Sequence, residues 1–539
     1  MRKFLKGKAL FSAVTVVSML ALAACGGQSS APAQDGKSTG QEQAAAGEPK
    51  DGGVLKIGLS STAKTLDPIA YTGAYESNII RSIGDTLVRY SGDLSKIEPS
   101  LATEWKVSDD MKVYTFKLRD NVYFQPGKYQ DGRKMTAEDV KYSLERSSKQ
   151  SALKRLRGVE SVEVISENEV ALHLDQPNAA LLAMLTDGGN IVVPHEEVEG
   201  WGEQFGQHLV GTGPFQMDKF NQDDSVALKR ADKYWGPKPH LDGVEFKFIS
   251  DANMMTNALR SGDIDVVTDV KGQNRAVIEK DQNLNLQTKP GLSIEYMGLN
   301  QNEGPTKDKK VREAIRMAVD VEGLVKGVFK WGGAEKSYLP LPKASWGYDS
   351  ALEASVPAFD PQKAKQLLAD AGYPNGFKTE LYVIASRVPQ ATIAAQQLKD
   401  NLNIDAEIKT VEWGTFSDVV AKGKAPLYIM GWSWYPDPDF FLYQMFHSKQ
   451  IGSLGNGYGY NNPEVDKLLD RATAETTDEA KRKEMYGQAM KMINDDVVHV
   501  ELGLLDVATG MKKYVEDYQV RADSSIFLVN EETNVWLNK

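Results

Sequence analysis

The sequence predicts an α/β fold with more than one domain, and three observations carry that expectation. Over residues 381–430, short apolar strands alternate with amphipathic helices in the order β-α-β-α-β, which argues for a parallel sheet with crossover helices. Elsewhere, runs such as 113–118 and 244–249 alternate at period two and read as half-buried strands. At 539 residues the chain is also too long for one ordinary core. Its composition, 41% apolar and 25% charged, is that of a globular protein. The formal net charge of −11 argues against a nucleic-acid partner, because phosphate binding needs a basic footprint.

The N-terminal segment is a separate object. Arg2, Lys3, Lys6 and Lys8 precede an apolar run over residues 9–24 that is too short for a comfortable membrane span. The run ends Leu22-Ala23-Ala24-Cys25-Gly26, with small residues suited to a signal peptidase. Cys25 is the single cysteine of the chain, so an intramolecular disulfide is impossible. The motif resembles the bacterial lipobox, in which the cysteine thiol is lipidated and becomes the new N-terminus. Residues 1–24 are therefore expected to be a lipoprotein signal peptide. Residues 25–52 are expected to be a flexible linker, since they lack apolar periodicity. A coil of that length spans roughly 25–30 Å. No later segment has the length and apolarity of a span, so attachment to the membrane would be by lipid alone.

The folded body starts at Gly53, with Val54, Leu55, Ile57 and Leu59 as its first strand. A loop with Tyr71 and Tyr75 leads into a helix around Asn78. Asp131-Gly132 is a hairpin signal, and Thr136 caps a helix that has carboxylates in its first turn. Residues 162–164 and 170–174 read as a hairpin. A helix over 252–260 ends at Gly262, which suits a C-terminal cap. Residues 294–299 form a strand. Val311, Ala314, Ile315 and Ala318 mark an amphipathic helix, and Asp360-Pro361 starts another. In the β-α-β-α-β stretch the strands are 381–384, 404–410 and 427–430. Helices follow from 463 and near 478, where Met485, Met490 and Met492 read as core filler. Late strands are expected over 497–505 and 527–529.

The last strand of the parallel unit runs into Gly431-Trp432-Ser433-Trp434-Tyr435-Pro436-Asp437-Pro438. Two Trp and a Tyr in four residues must be packed away or kept partly open for a ligand. In parallel sheets ligands bind beyond the carboxyl ends of the strands, and this loop leaves a strand at that end. Trp432, Trp434, Tyr435 and Asp437 are therefore expected to bind ligand. Arg387 and Trp413 also follow strand ends and are expected on the same rim, with Tyr71 added from the loop after the first strand.

Catalytic constellations are not evident. His173, His195, His208, His240, His447 and His499 form no HExxH or comparable pair, so no metal site is expected. There is no GxSxG, and Gly457-Tyr458-Gly459 lacks the rest of a phosphate cradle. Asp437 and Asp439 could act as paired carboxylates, but i, i+2 spacing in a Pro-fixed loop reads first as a turn. The expectation is a binding protein without cofactor and not an enzyme.

Several segments in order resemble the bacterial extracellular solute-binding proteins of family 5, the oligopeptide, dipeptide and nickel receptors of ABC importers. They are Leu101-Ala102-Thr103-Glu104-Trp105, Asp131-Gly132-Arg133-Lys134-Met135-Thr136-Ala137-Glu138-Asp139-Val140 and Gly211-Thr212-Gly213-Pro214-Phe215. Ser261-Gly262-Asp263-Ile264-Asp265, Val311-Arg312-Glu313-Ala314-Ile315 and Pro463-Glu464-Val465-Asp466-Lys467-Leu468-Leu469 follow. The resemblance implies a two-lobed periplasmic-binding-protein-like fold with a discontinuous first lobe and a hinge-closed cleft. It places lobe I at 53–295 with a return at 511–539, and lobe II at 296–510. It further implies a monomer that delivers a small solute, an oligopeptide first, to permease subunits at the outer face of the cell membrane. Peptide-binding members carry an Asp after the loop Trp that pairs with the peptide amino group. Here Ser433, Trp434, Tyr435 and Pro436 stand instead, which leaves open a saccharide, an opine or a metal chelate.

Overall fold

The computed structural model describes residues 48–151 and 153–539. Cys25, the expected signal peptide and nearly all of the expected linker lie outside them. Among the described residues no helix is long and apolar enough to cross a membrane.

An eleven-stranded mixed sheet organises the body. One end holds the expected β-α-β-α-β unit. Its strands Lys378–Val383, Asp405–Thr410 and Leu427–Ser433 are parallel, linked by helices Val388–Leu402 and Trp413–Ala421. Pro389 sits in the first turn of the first helix, where its missing N–H costs nothing, and Asn403 closes that helix in the left-handed conformation. The other end holds Val54–Leu59, parallel to Gly243–Phe248, and continues antiparallel through Ser225–Arg230 and Phe215–Asn221.

Two long strands join these ends. Leu284–Leu299 and His499–Lys512 pair antiparallel along nearly their whole length. Their upper half, at Ser293 and beyond, pairs with Leu427–Ser433, while Met511 and Gly510 pair with Val266 and Val267 beside the first strand. The ladder shifts register between Pro290 and Ser293. The expected lobe boundaries, after 295 and before 511, fall inside this ladder. Both strands are far longer than the expected 294–299 and 497–505. Pro290, Gly291 and the polar run Asn285, Gln287, Thr288 and Lys289 hid the first half of one of them.

A separate four-stranded sheet, Ala102–Val107, Val113–Leu118, Glu169–Leu174 and Val159–Ser166, flanks the body. Helix Ala137–Gln150 packs on it. Thr136 precedes that helix, and the Asp139 carboxylate accepts from both the Thr136 N–H and its hydroxyl at 2.9 Å. Asp131-Gly132 is a turn with Gly132 at φ +85°, but only a single bridge, Tyr123 to Lys134, flanks it. The expected strand at 527–529 is absent, and Val529 makes one isolated bridge to Asn534. In the Gly-Thr-Gly segment, a Cβ on Gly213 would lie 2.7 Å from the Ile83 carbonyl carbon. Only glycine permits that backbone approach.

Apolar cores form on both sides of the long ladder, one around Ile57, Ile80 and Phe246, another around Met297, Ile315 and Leu398. Near the ladder's end, Arg316 and Glu501 form a buried ion pair at 3.2 Å, each 4% exposed. Arg316 also donates to the carbonyls of Asn494 and His499. Burial pushes the Glu501 carboxyl up, and Arg316 with His499 more than offsets this and holds it below its ordinary value. Its stabilisation is thus present above the unfolded pKa and lost as pH falls through the lower folded one. We expect Arg316→Met to destabilise the protein by about 3–5 kcal/mol, because it leaves Glu501 buried without its guanidinium. Denaturant unfolding at pH 7 measures this.

Candidate functional site

A cavity of about 310 Å³ lies where the loop after strand Leu427–Ser433 faces helix Ala74–Ile83, residues 153–157, the turn at 186–187 and the segment 521–527. Its aromatic wall comes from one short stretch of sequence. Trp434 is 38% exposed and stacks on Phe440, with centroids 6.0 Å apart and planes 14° from parallel. Trp432 stacks behind Trp434 at 6.0 Å, and its Nε1 donates to the Phe440 carbonyl at 2.8 Å. Tyr435 meets the Phe440 edge at 4.7 Å. Pro436 and Pro438 stiffen the chain between these rings, so the wall is held by rigid backbone and mutual packing.

The opposite wall is charged. Asp187 accepts from Arg155 Nε at 2.7 Å, from the Tyr71 hydroxyl at 2.9 Å and from the Gly189 N–H at 2.7 Å. The Tyr435 hydroxyl donates to its other oxygen and so ties the aromatic wall to the charged one. Burial raises the Asp187 carboxyl, but Arg155 and Arg81 outweigh it and keep the group below its ordinary value. Burial, reinforced by Asp187, pushes the Tyr435 hydroxyl well up, so it stays a donor. Arg521 and Asp523 pair at 3.2 Å on the same side. Arg81 and Arg157 complete the charged lining.

The structure sorts the expected site residues into three groups. Trp434 and Tyr435 line the cavity. Trp432 and Tyr71 stand one layer behind, holding Trp434 and Asp187 in place. Asp437, Arg387 and Trp413 are not part of its walls. Asp437 is buried, paired with Arg482 at 3.0 Å and capping the Asp439 N–H at 3.0 Å. Arg387 pairs with Glu295 at 3.1 Å, and its guanidinium lies 2.5 Å from where a Gly431 Cβ would be. Trp413 begins helix Trp413–Ala421, is 51% exposed and stacks on Phe416. Asp187, Arg155, Arg81, Arg157, Arg521, Asp523, Phe440 and Phe527 were missed by sequence reasoning. They come from five separate segments with no shared motif, and the dense Lys154-Arg155-Leu156-Arg157 run was the one available signal.

Among the described residues, one group of side chains could approach a metal, Asp139, His195 and Glu196. The Arg133 guanidinium already occupies it, bonding Asp139 at 2.6 and 2.8 Å and Glu196 at 2.7 Å. A second cation there would face that fixed charge.

Asp439 opens the helix Asp439–Phe446 behind the aromatic wall. Burial, with Asp437 nearby, pushes its carboxyl from 3.8 up to about 6, while the Thr473 hydroxyl donates to it at 3.0 Å. A raised carboxyl makes the folded state hold a proton that the unfolded chain has lost, so stability falls as pH rises from about 4 to 6. Asp439→Asn keeps the acceptor for Thr473 and removes the charge. We expect it to stabilise the protein at pH 7 by on the order of 2–3 kcal/mol and to flatten that pH dependence. Thermal unfolding between pH 4 and 7 checks both.

This geometry can be set beside known proteins. The profile of the bacterial extracellular solute-binding proteins, family 5 (middle), matches residues 96–453. The dipeptide-binding protein of Escherichia coli K12 is 28% identical over 522 residues, covering 87% of this chain and 96% of that one. The glutathione-binding protein GsiB of Escherichia coli O1:K1 / APEC is 28% identical, with coverage of 87% and 92%. Among solved structures, the ABC transporter-associated periplasmic binding protein DppA of Helicobacter pylori, in complex with the peptide STSA, superposes with a TM-score of 0.76. It is 29% identical and covers 91% of this chain and 99% of its own. The chain has the two-lobed fold of these proteins and belongs to the bacterial extracellular solute-binding proteins, family 5.

Proposed function

We propose that the chain captures a short peptide in the cavity between its lobes and delivers it to the permease subunits of an ABC importer. The observation that carries this reading is the aromatic wall of Trp434, Tyr435 and Phe440, fixed opposite a charged wall and joined to it through Tyr435 and Asp187. Such a site offers a face for an apolar side chain and charged partners for peptide ends. The relatives that bind dipeptides and glutathione, and the related structure with a bound peptide, support a peptide over a saccharide, an opine or a metal chelate. A cavity of about 310 Å³ lies at the small end of the range for ligand sites and suits a peptide of few residues.

Delivery requires that the lobes open and close. A ligand that touches both walls binds the closed form better and shifts the population toward it. The register shift between Pro290 and Ser293, where the long strands pass from one lobe to the other, is a suitable hinge. The ligand is released unchanged, in keeping with a family of solute-binding proteins. We further propose that Cys25 carries a lipid that holds the monomeric protein at the outer face of the cell membrane, with residues 26–52 as its leash.

Two tests follow from this reading. With a dipeptide bearing an aromatic side chain as probe, Trp434→Ala is expected to weaken binding at least tenfold, about 1.4 kcal/mol, in a variant that still folds cooperatively at a somewhat lower unfolding midpoint. Titration followed by calorimetry measures it, and unaltered affinity in a folded variant would remove Trp434 from the site. In cells, Cys25→Ser is expected to move the protein from the membrane fraction into the soluble extracytoplasmic fraction; retention in the membrane fraction would rule out the lipid anchor.

A further inference from the structure

We infer that the cavity contains an anion subsite built on Arg81 and Arg157, and that its ligand carries net negative charge. The inference rests on the peptide reading only for the ligand's scaffold, so on that reading the ligand is a short acidic peptide.

The charge balance of the walls is the first observation. Arg81, Lys154, Arg155, Arg157 and Arg521 line the cavity against two carboxylates, Asp187 and Asp523. This cationic surface lies inside a chain whose net charge is −11. A concave, low-dielectric wall of one sign concentrates ligands of the other.

The second observation is that both carboxylates are already engaged. Asp187 is held by Arg155, Tyr71, Tyr435 and the Gly189 N–H. Asp523 is held by Arg521 and the Ser525 N–H. A ligand amine would have to displace an arginine or a tyrosine to reach either one. Arg81 stands near enough to both acids to lower their pKa values, yet among the described residues it bonds to neither.

The third observation is the state of Arg81 itself. It projects from the last turn of helix Ala74–Ile83, its guanidinium 5.6 Å from the Phe527 ring centre, and its Nε is buried without a hydrogen-bond partner. A buried guanidinium donor left unpaired is costly, more so than a neutral one. A carboxylate arriving in the cavity supplies the missing acceptor in the geometry that guanidinium favours. Arg157 is exposed, with its guanidinium 5.9 Å from the Phe440 ring centre. Like Lys154 in the same lining, it has no acidic partner among the described residues. Arg81 thus offers the enclosed contact and Arg157 an accessible one, with Trp434 and Phe440 left for the apolar part.

Calorimetric titration of the purified, full-length mature protein tests this with phenylalanyl-glutamate, phenylalanyl-glutamine and phenylalanyl-lysine. Their aromatic parts are equal and their charges differ. The glutamate peptide is expected to bind at least tenfold more tightly than the lysine peptide at low salt, with the glutamine peptide between them. Arg81→Gln is expected to reduce that preference at least fivefold, and Arg157→Gln at least threefold. Arg157 is exposed, so its variant keeps the test decisive if Arg81→Gln does not fold. Equal or tighter binding of the lysine peptide, or an undiminished preference in a folded variant, would overturn the anion subsite while leaving peptide capture intact. Titration with 3-phenylglutarate separates the two ideas. Arg81-dependent binding of that non-peptide dianion, with all three peptides silent, would uphold the anion subsite and defeat the peptide reading.

Discussion

The pairing of strand Leu284–Leu299 with strand His499–Lys512 is the constraint on which everything else depends. Each strand runs through the middle of the sheet, so one ladder carries it from the parallel unit at one end to the first strand at the other. The aromatic loop leaves Leu427–Ser433 at the point where that strand pairs with residues 293–299 of the ladder. Its position opposite helix Ala74–Ile83 is therefore set by the ladder's register. A slip of one residue would turn every side chain of these strands to the other face and separate Tyr435 from Asp187. Glu501 of the same ladder is buried against Arg316 from the helix Lys309–Ala318, so the loss of either partner is expensive.

The cavity combines two kinds of wall for a physical reason. Aromatic rings held by prolines and by one another give area at low entropic cost, but little direction. Charged groups give direction, but only if their own desolvation is offset by hydrogen bonds. Asp187 meets that condition with four donors, one of them from the aromatic wall. The bond from Tyr435 to Asp187 joins the aromatic wall to the charged one, so the two are ordered together. The same saturation of the acids leaves the unpartnered arginines to choose the ligand.

Periodicity made the parallel unit legible, because Leu381, Val383, Ile408 and Leu427 repeat in short runs between amphipathic helices. Turn and cap chemistry made Thr136 and Gly262 legible for local reasons. The long ladder was half hidden because Pro290 and Gly291 interrupt it and its lower half is polar on one face. The aromatic wall could be read because it is one contiguous stretch. Asp437, Arg387 and Trp413 were drawn to it by sequence position alone; Arg482 and Glu295, distant in sequence, engage the first two elsewhere, and Trp413 stacks on Phe416 of its own helix. Beyond the basic run at 154–157 the charged wall left no signal, since Arg81, Arg155, Asp187 and Arg521 meet only through tertiary packing. The acid absent from the loop is matched in space by Asp187, more than two hundred residues earlier, and its partners decide that it serves the protein and not the ligand.

The most direct test of solute capture between the lobes is mass spectrometry of what is released when the protein, purified from its own cells, is unfolded. The account predicts one small peptide per protein molecule, of few residues and acidic. Stoichiometric release of a sugar, a metal chelate or a cationic peptide would contradict it.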